Sequence, residues 1–196
     1  AFAPQFVDID GDRLTDLAVV SDFKQSQLYL NLGGNLFTNV TPHRGTGGTS
    51  GEDNGMATAF GDYDNDGDLD WFVTSIKNDT GKDGNRLYRN NGSGFFTDVT
   101  EVAGVRTGYW GWAGAFGDLD NGGDLDIFQV NGWPGQHKGN LNPSLLFENH
   151  GDGKFTEITR EAGMWLERPR YTLGVVTGDF DNDGLTDLYV ANDSVV

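Results

Sequence analysis

Hydrophobic residues come in short clusters separated by glycine-rich and aspartate-rich segments. One complete set begins with "GMATAFG" (55–61), passes through an acidic loop to "LDWFVTSI" (69–76), and continues with "NRLYRN" (85–90) and "FFTDVTE" (95–101). The last cluster alternates apolar and polar residues, and "NGSG" (91–94) before it has hairpin-turn composition. The pattern predicts four antiparallel strands, which we call strands a, b, c and d in chain order.

The same set recurs along the chain. Phe37, Phe96 and Phe155 stand 59 residues apart and open "FTNVT", "FTDVT" and "FTEIT". Four-stranded antiparallel units in tandem are typical of β-propeller blades, so we predict an all-β fold. A parallel β-helix is the alternative, but its repeats are much shorter than these.

The repeat divides the chain into three blades and a half. We expect one partial propeller domain over residues 1–196, with blades at about 1–54, 55–110 and 111–171 and a half-blade at 172–196. A propeller closes with at least four blades. We therefore expect the chain to be part of a longer protein, with closure by a homo-oligomer as the alternative.

An acidic loop joins strands a and b of every unit. Loop one is "DIDGDRLTD" (8–16), loop two "DYDNDGDLD" (62–70), loop three "DLDNGGDLD" (118–126) and loop four "DFDNDGLTD" (179–187). Carboxylates recur at positions one, three, five and nine, and the first three match the ligand spacing of an EF-hand loop. Glycine at position six of loops two to four permits the positive φ of a sharp turn.

These carboxylates predict a calcium site in each loop. Alternate residues converge when the chain curls around an ion, and an all-oxygen ligand set of this kind suits calcium better than magnesium. Turn formation by Asp and Asn is the alternative, but it does not explain the same offsets in four loops. Without fifteen of these carboxylates the net charge would be −2 instead of −17.

We predict three to four Ca²⁺ ions. The candidate ligands are Asp8, Asp10, Asp12, Asp16, Asp62, Asp64, Asp66, Asp68, Asp70, Asp118, Asp120, Asp126, Asp179, Asp181, Asp183 and Asp187.

Two loops depart from the pattern. Loop three has Gly122 at position five, so it lacks a ligand and we expect weaker binding there. Loop one has Arg13 at position six and Gly11 two residues earlier, so we expect a strained turn with a positive charge nearby. Loops two and four are the most regular.

The segments "FGDYDNDGDLD", "LYRNNGSGFFTDVTEVAG" and "GWAGAFGDLD" resemble the FG-GAP/VCBS repeat family, the calcium-binding blades of integrin-α-type propellers. The likeness covers essentially the whole chain and is closer to the cartilage acidic protein group and its bacterial relatives. It implies a propeller of seven blades when complete and a secreted, periplasmic or cell-surface setting. The family includes adhesion, lectin-like and enzyme-attached domains, so the resemblance is weak on function.

Antiparallel topology places the a–b and c–d turns on one face of a propeller and the b–c and d–a connections on the other. Length variation falls in the second set, and variable loops on a rigid scaffold commonly bind ligands. They carry aromatic and basic residues suited to a glycan or an anionic extracellular partner. The candidates for ligand binding are Trp110, Trp133, His137, Lys138, Trp165, Arg168 and Arg170.

Composition and motifs exclude several classes of function. The acidic chain lacks a basic footprint for nucleic acid, and no apolar run is long enough to span a membrane. No serine-nucleophile, zinc-protease or phosphate-loop motif is present, so we predict a binding or adhesion module and not an enzyme. The alternatives are a polysaccharide-acting, lyase-like enzyme using His137 and Lys138, and an assembly protein that closes by oligomerisation.

Overall fold

The computed structural model describes residues 3–23, 25–46, 54–76, 84–132, 142–165 and 171–193. These residues form fourteen strands and one short α-helix. The strands are β1 (Ala3–Val7), β2 (Asp16–Val20), β3 (Gln27–Asn31), β4 (Phe37–Asn39), β5 (Gly55–Gly61), β6 (Asp70–Ser75), β7 (Arg86–Asn90), β8 (Phe96–Asp98), β9 (Gly111–Gly117), β10 (Asp126–Asn131), β11 (Leu145–Asn149), β12 (Phe155–Glu157), β13 (Thr172–Gly178) and β14 (Asp187–Asn192). Helix α1 is Thr100–Ala103, and Thr41–His43 form a 3₁₀ turn.

The strands pair in chain order as antiparallel sheets. Sheet one is β1–β4, sheet two is β5–β8, sheet three is β9–β12, and sheet four contains β13 and β14. Strand a of each sheet contacts strand a of the next, through the pairs β1 and β5, β5 and β9, and β9 and β13. This arrangement confirms the all-β, blade-like fold that the repeat predicts; closure into a ring of seven blades stays a prediction.

The fourth strand of each full sheet is shorter than its sequence pattern predicts. In sheet two we expected strand d over 95–101, but β8 ends at Asp98 and α1 begins at Thr100. The reason is that a side chain takes the place of a backbone acceptor in the strand ladder. The Leu87 amide donates to the Thr100 hydroxyl oxygen at 2.9 Å instead of to a backbone carbonyl. The same 2.9 Å bond recurs between Leu28 and Thr41 and between Leu146 and Thr159.

The core lies in layers between successive sheets. Trp71, Val73 and Tyr88 of sheet two pack against Val20 and Leu28 of sheet one. On the other side of sheet two, Phe72 and Leu87 pack with residues of sheet three such as Ile127 and Phe147. Strand β6 is therefore buried along its whole length, because alternate side chains enter two different layers.

The turns after β4 and β8 pack onto the next sheet. Gly45 has φ +75°, and a Cβ there would overlap the carbonyl oxygen of Phe96 in sheet two. The Phe96 amide also donates to the Arg44 carbonyl oxygen at 2.8 Å. At Gly104 (φ +81°) a Cβ would lie 3.2 Å from the carbonyl oxygen of Phe155, and at Gly163 (φ +72°) it would meet no atom within 4 Å.

Alanine substitution at these three glycines tests the packing between sheets. All three variants incur the left-handed backbone strain of a non-glycine residue, about 1–2 kcal/mol. We expect Gly163→Ala to lower the free energy of unfolding by about this strain alone, and Gly104→Ala to lower it slightly more. Gly45→Ala should lower it by at least about 2 kcal/mol beyond the strain, because the new Cβ at position 45 overlaps backbone atoms of Phe96. Urea unfolding midpoints measure the order, and equal losses in all three variants would contradict the sheet packing described above.

Candidate metal centre

The four acidic loops share one backbone path. Position four has positive φ in every loop, at Gly11 (+76°), Asn65 (+58°), Asn121 (+58°) and Asn182 (+62°). The amide at position six then donates to Oδ2 of the aspartate at position one. These distances are 2.9 Å for Arg13 to Asp8, 3.0 Å for Gly67 to Asp62, 3.1 Å for Gly123 to Asp118 and 3.0 Å for Gly184 to Asp179.

Arg13 follows this path although it is not glycine. Its φ is +72°, in the left-handed region that the glycines at position six of the other loops occupy. An L-residue there costs about 1–2 kcal/mol, so loop one has the strained turn that its sequence predicts. The Arg13 side chain is exposed, so its charge is screened by solvent.

The aspartate at position nine is the first residue of strand b and joins the loop to the sheet. Its Oδ2 accepts the amide of position two, from Ile9 to Asp16 at 2.8 Å, Tyr63 to Asp70 at 3.2 Å, Leu119 to Asp126 at 3.1 Å and Phe180 to Asp187 at 2.9 Å. In the three full sheets Oδ1 accepts the amide of the last residue of strand c. Asn31, Asn90 and Asn149 donate to Asp16, Asp70 and Asp126, each at 2.8 Å.

In loops one to three, burial makes the ionised form of the position-nine carboxylate unfavourable. Desolvation is the largest cause that raises the pKa of Asp16, Asp126 and Asp70, the last to about 7, and neighbouring loop carboxylates add to the increase. The pKa of Asp64 is raised by burial and then by the charge of Asp66. Loops one, two and three thus hold negative charges that a bound cation would stabilise.

Carboxylates converge within three of the loops. The groups are Asp8 with Asp10 and Asp16, Asp62 with Asp64 and Asp66, and Asp179 with Asp181 and Asp187; in each group one oxygen per residue lies within 4.8 Å of the others. Loop three, which is described throughout, forms no such group from Asp118, Asp120 and Asp126.

The remaining candidate ligands have other contacts. Oδ1 of Asp12 accepts the Leu14 amide at 2.7 Å, and Oδ1 of Asp183 accepts the Leu185 amide at 2.8 Å. Asp68 lies against Gly92 in the c–d turn of the same sheet, where a Cβ would be 2.6 Å from its carboxylate oxygens. Asp70 is fully buried and holds the loop through its two backbone bonds.

Three loop carboxylates have an oxygen that fits a cation. Within the described part of the chain, Oδ1 of Asp10, Asp64 and Asp118 is buried and has no hydrogen-bond partner. A buried carboxylate oxygen without a donor is costly unless a positive charge lies beside it. Two of these residues stand at position three of a converged group, so the donor set of loops one and two fits a hard divalent ion.

Comparison with known protein families agrees with this geometry. A profile of the FG-GAP-like repeat matches residues 8–73, 72–128 and 138–190. The chain belongs to the FG-GAP-like repeat family. A comparison with curated proteins finds no match, so the likeness to the cartilage acidic protein group is not shown.

Successive FG-GAP-like repeats are also linked on the face that carries the acidic loops, which we call the loop face. Asn90 Nδ2 donates to the Ile9 carbonyl oxygen of loop one at 2.9 Å, and Asn149 Nδ2 donates to the Tyr63 carbonyl oxygen of loop two at 2.7 Å. This role of asparagine was not predicted from the sequence, although Asn31, Asn90 and Asn149 recur at the 59-residue interval. That recurrence was the available signal.

Few of the predicted ligand-binding residues of this FG-GAP-like chain lie in described segments. Trp110 forms an isolated antiparallel β-bridge with Ile76, which follows the end of β6. This end of β6 is the one away from loop two. The carbonyl oxygen of Trp110 accepts the Gly132 amide at 3.2 Å. The half-buried Trp165 has the Arg160 guanidinium 3.6 Å from its ring centroid. Trp133, His137, Lys138, Arg168 and Arg170 lie outside the described residues.

Proposed function

We propose that this chain is a calcium-stabilised extracellular binding module that carries its ligand on the face opposite the loop face. The observation that supports calcium most strongly is the convergence of three carboxylates in loops one, two and four. Family membership supports the extracellular setting, because FG-GAP-like repeats are typical of surface and secreted proteins. In the described residues no helix is long and apolar enough to cross a membrane.

The ligands that we assign to calcium are the carboxylates at positions one, three, five and nine. A bound Ca²⁺ ion would supply the positive charge that the partly desolvated loops need. The aspartate oxygens at positions one and nine accept backbone amides with one lone pair. Each oxygen has a second lone pair that can bind the ion. The backbone bonds of the loop would therefore fix the positions of the calcium ligands. Asp10 in loop one and Asp64 in loop two would each contribute an oxygen that has no other partner among the described residues.

The ligand of the module is, in this proposal, a glycan or an extracellular protein. Trp110 supports the position of the ligand face, because it lies at the end of sheet two opposite the loops. Aromatic rings provide platforms for sugar rings or apolar side chains, and basic residues pair with anionic groups. A polysaccharide-acting enzyme remains the alternative, with His137 and Lys138 as its candidate residues.

Calorimetric titration with CaCl₂ tests the metal proposal. We expect the chain to bind three to four ions, and Asp64→Asn to remove or strongly weaken one of them, because it reduces the charge at position three of loop two. Asp152→Asn is the matched control, since Asp152 is an exposed acid in a c–d turn that contacts Lys154. Full calcium stoichiometry and affinity in Asp64→Asn would contradict the proposed cage.

Screening an array of neutral and anionic glycans tests the ligand proposal. We expect the calcium-loaded chain to bind a glycan, and Trp133→Ala combined with Arg168→Ala to lower that affinity more than about tenfold by removing a platform and a charge. Lys154→Ala, which removes an exposed lysine from a c–d turn, should leave affinity unchanged. Undiminished binding by the double variant would overturn the assignment of this face.

A further inference from the structure

Asn90 and Asn149 each contact two acidic loops that belong to neighbouring sheets. Besides donating its backbone amide to Asp70, Asn90 donates Nδ2 to the Leu69 carbonyl oxygen of its own loop at 3.1 Å and to Ile9 of loop one. Asn149 repeats the arrangement, with Nδ2 donating to Leu125 of its own loop at 3.0 Å and to Tyr63 of loop two. Both side chains are buried, at 2% and 7% exposure.

The carbonyl that each asparagine holds belongs to the peptide that enters position three. Ile9 precedes Asp10, and Tyr63 precedes Asp64. The amides of Ile9 and Tyr63 are held by the position-nine carboxylate of their own loop, while their carbonyls are held by the following sheet. The peptide plane that sets the direction of the position-three side chain is therefore fixed from both sides.

A buried oxygen without a hydrogen-bond partner occurs at position three in the two described loops that this asparagine contacts. In loops one and two, where a following strand-c asparagine is present, Oδ1 of Asp10 and Asp64 is buried and without a hydrogen-bond partner in the described segments. In loops three and four, no asparagine in the described part of the chain donates a hydrogen bond to the carbonyl at position two. There neither Asp120 nor Asp181 has a buried oxygen without a partner. Oδ1 of Asp120 accepts the Gly122 amide at 2.7 Å and Oδ1 of Asp181 accepts the Asp183 amide at 3.1 Å, a position-five bond that the Asp64 carboxylate also receives from Asp66.

We propose that Asn90 and Asn149 are positioning residues for calcium in the preceding repeat, and that they couple calcium binding in neighbouring loops. Each asparagine holds position three of the preceding loop with an oxygen facing the ion, and it braces position nine of its own loop. Calcium in either loop restrains the shared asparagine, so binding at one site strengthens binding at the next. This inference rests on the proposed calcium function of the loops.

Site-resolved NMR titration with CaCl₂ separates the two effects. The amides of Arg13, Gly67, Gly123 and Gly184, at position six, report on loops one to four. We expect Asn149→Ala to weaken calcium binding about tenfold in loop two as well as in loop three, because a buried carbonyl loses its donor. Loop four should respond as in the unmodified chain and so report an intact fold.

Asn31→Ala is the matched control. Asn31 holds Asp16 and the Thr15 carbonyl oxygen of its own loop, at 2.8 and 2.9 Å, but bonds to no preceding loop among the described residues. We expect this variant to weaken loop one directly and loop two only through the coupling, by less than the tenfold loss that Asn149→Ala causes there. Asn149→Asp, which keeps the side-chain shape and loses the Nδ2 donor, provides a second test if Asn149→Ala fails to fold.

The outcomes distinguish this inference from the proposed function. Weakened calcium binding in loop two of a folded Asn149 variant supports positioning across the sheets. Weakening confined to loop three, with unchanged affinity in loop two, overturns it while leaving calcium binding intact. An unmodified chain in which no loop amide responds to calcium overturns the proposed calcium function, and the coupling with it.

Discussion

A buried carboxylate at the start of the second strand of each four-stranded sheet is the constraint on which this structure depends. Asp16 and Asp70 are fully buried, and each accepts one amide from its loop and one from the third strand of its sheet. The loop therefore cannot rearrange without disturbing the sheet. Charge that accumulates in the loop destabilises the fold directly, and in the proposed function a cation that neutralises this charge stabilises the same fold. Metal binding and folding would then be linked equilibria.

Stacking of sheets extends this constraint along the chain. Apolar layers such as Trp71 with Leu28 provide the driving force for association, but they are non-directional. Direction comes from polar contacts between neighbours. One is the Phe96 amide on the Arg44 carbonyl, and another is the exposed bond from Asn65 Nδ2 of loop two to Asp124 Oδ1 of loop three, at 2.8 Å. These contacts fix how one repeat sits on the next.

Much of the fold could be predicted from sequence because it is periodic. The 59-residue recurrence of Phe37, Phe96 and Phe155 and the apolar clusters between them predict four-stranded units, and β5 spans the 55–61 predicted for it. The predicted end of the fourth strand of sheet two was wrong, because the Thr100 hydroxyl replaces a backbone carbonyl as the acceptor for the Leu87 amide. The role of Asn90 was missed, because its partner Ile9 is 81 residues away and carries no side-chain signal. Propensity cannot reveal such contacts.

Unfolding of the chain in millimolar CaCl₂ and in excess EGTA tests the central claim most directly, with MgCl₂ as a comparison. A site held at about ten times its dissociation constant adds roughly 1.4 kcal/mol, so three to four sites predict a free energy of unfolding about 4–6 kcal/mol higher in calcium. Magnesium should restore much less, because it requires a tighter octahedral cage. Equal stability in calcium and EGTA would show that the aspartate loops are ordinary turns.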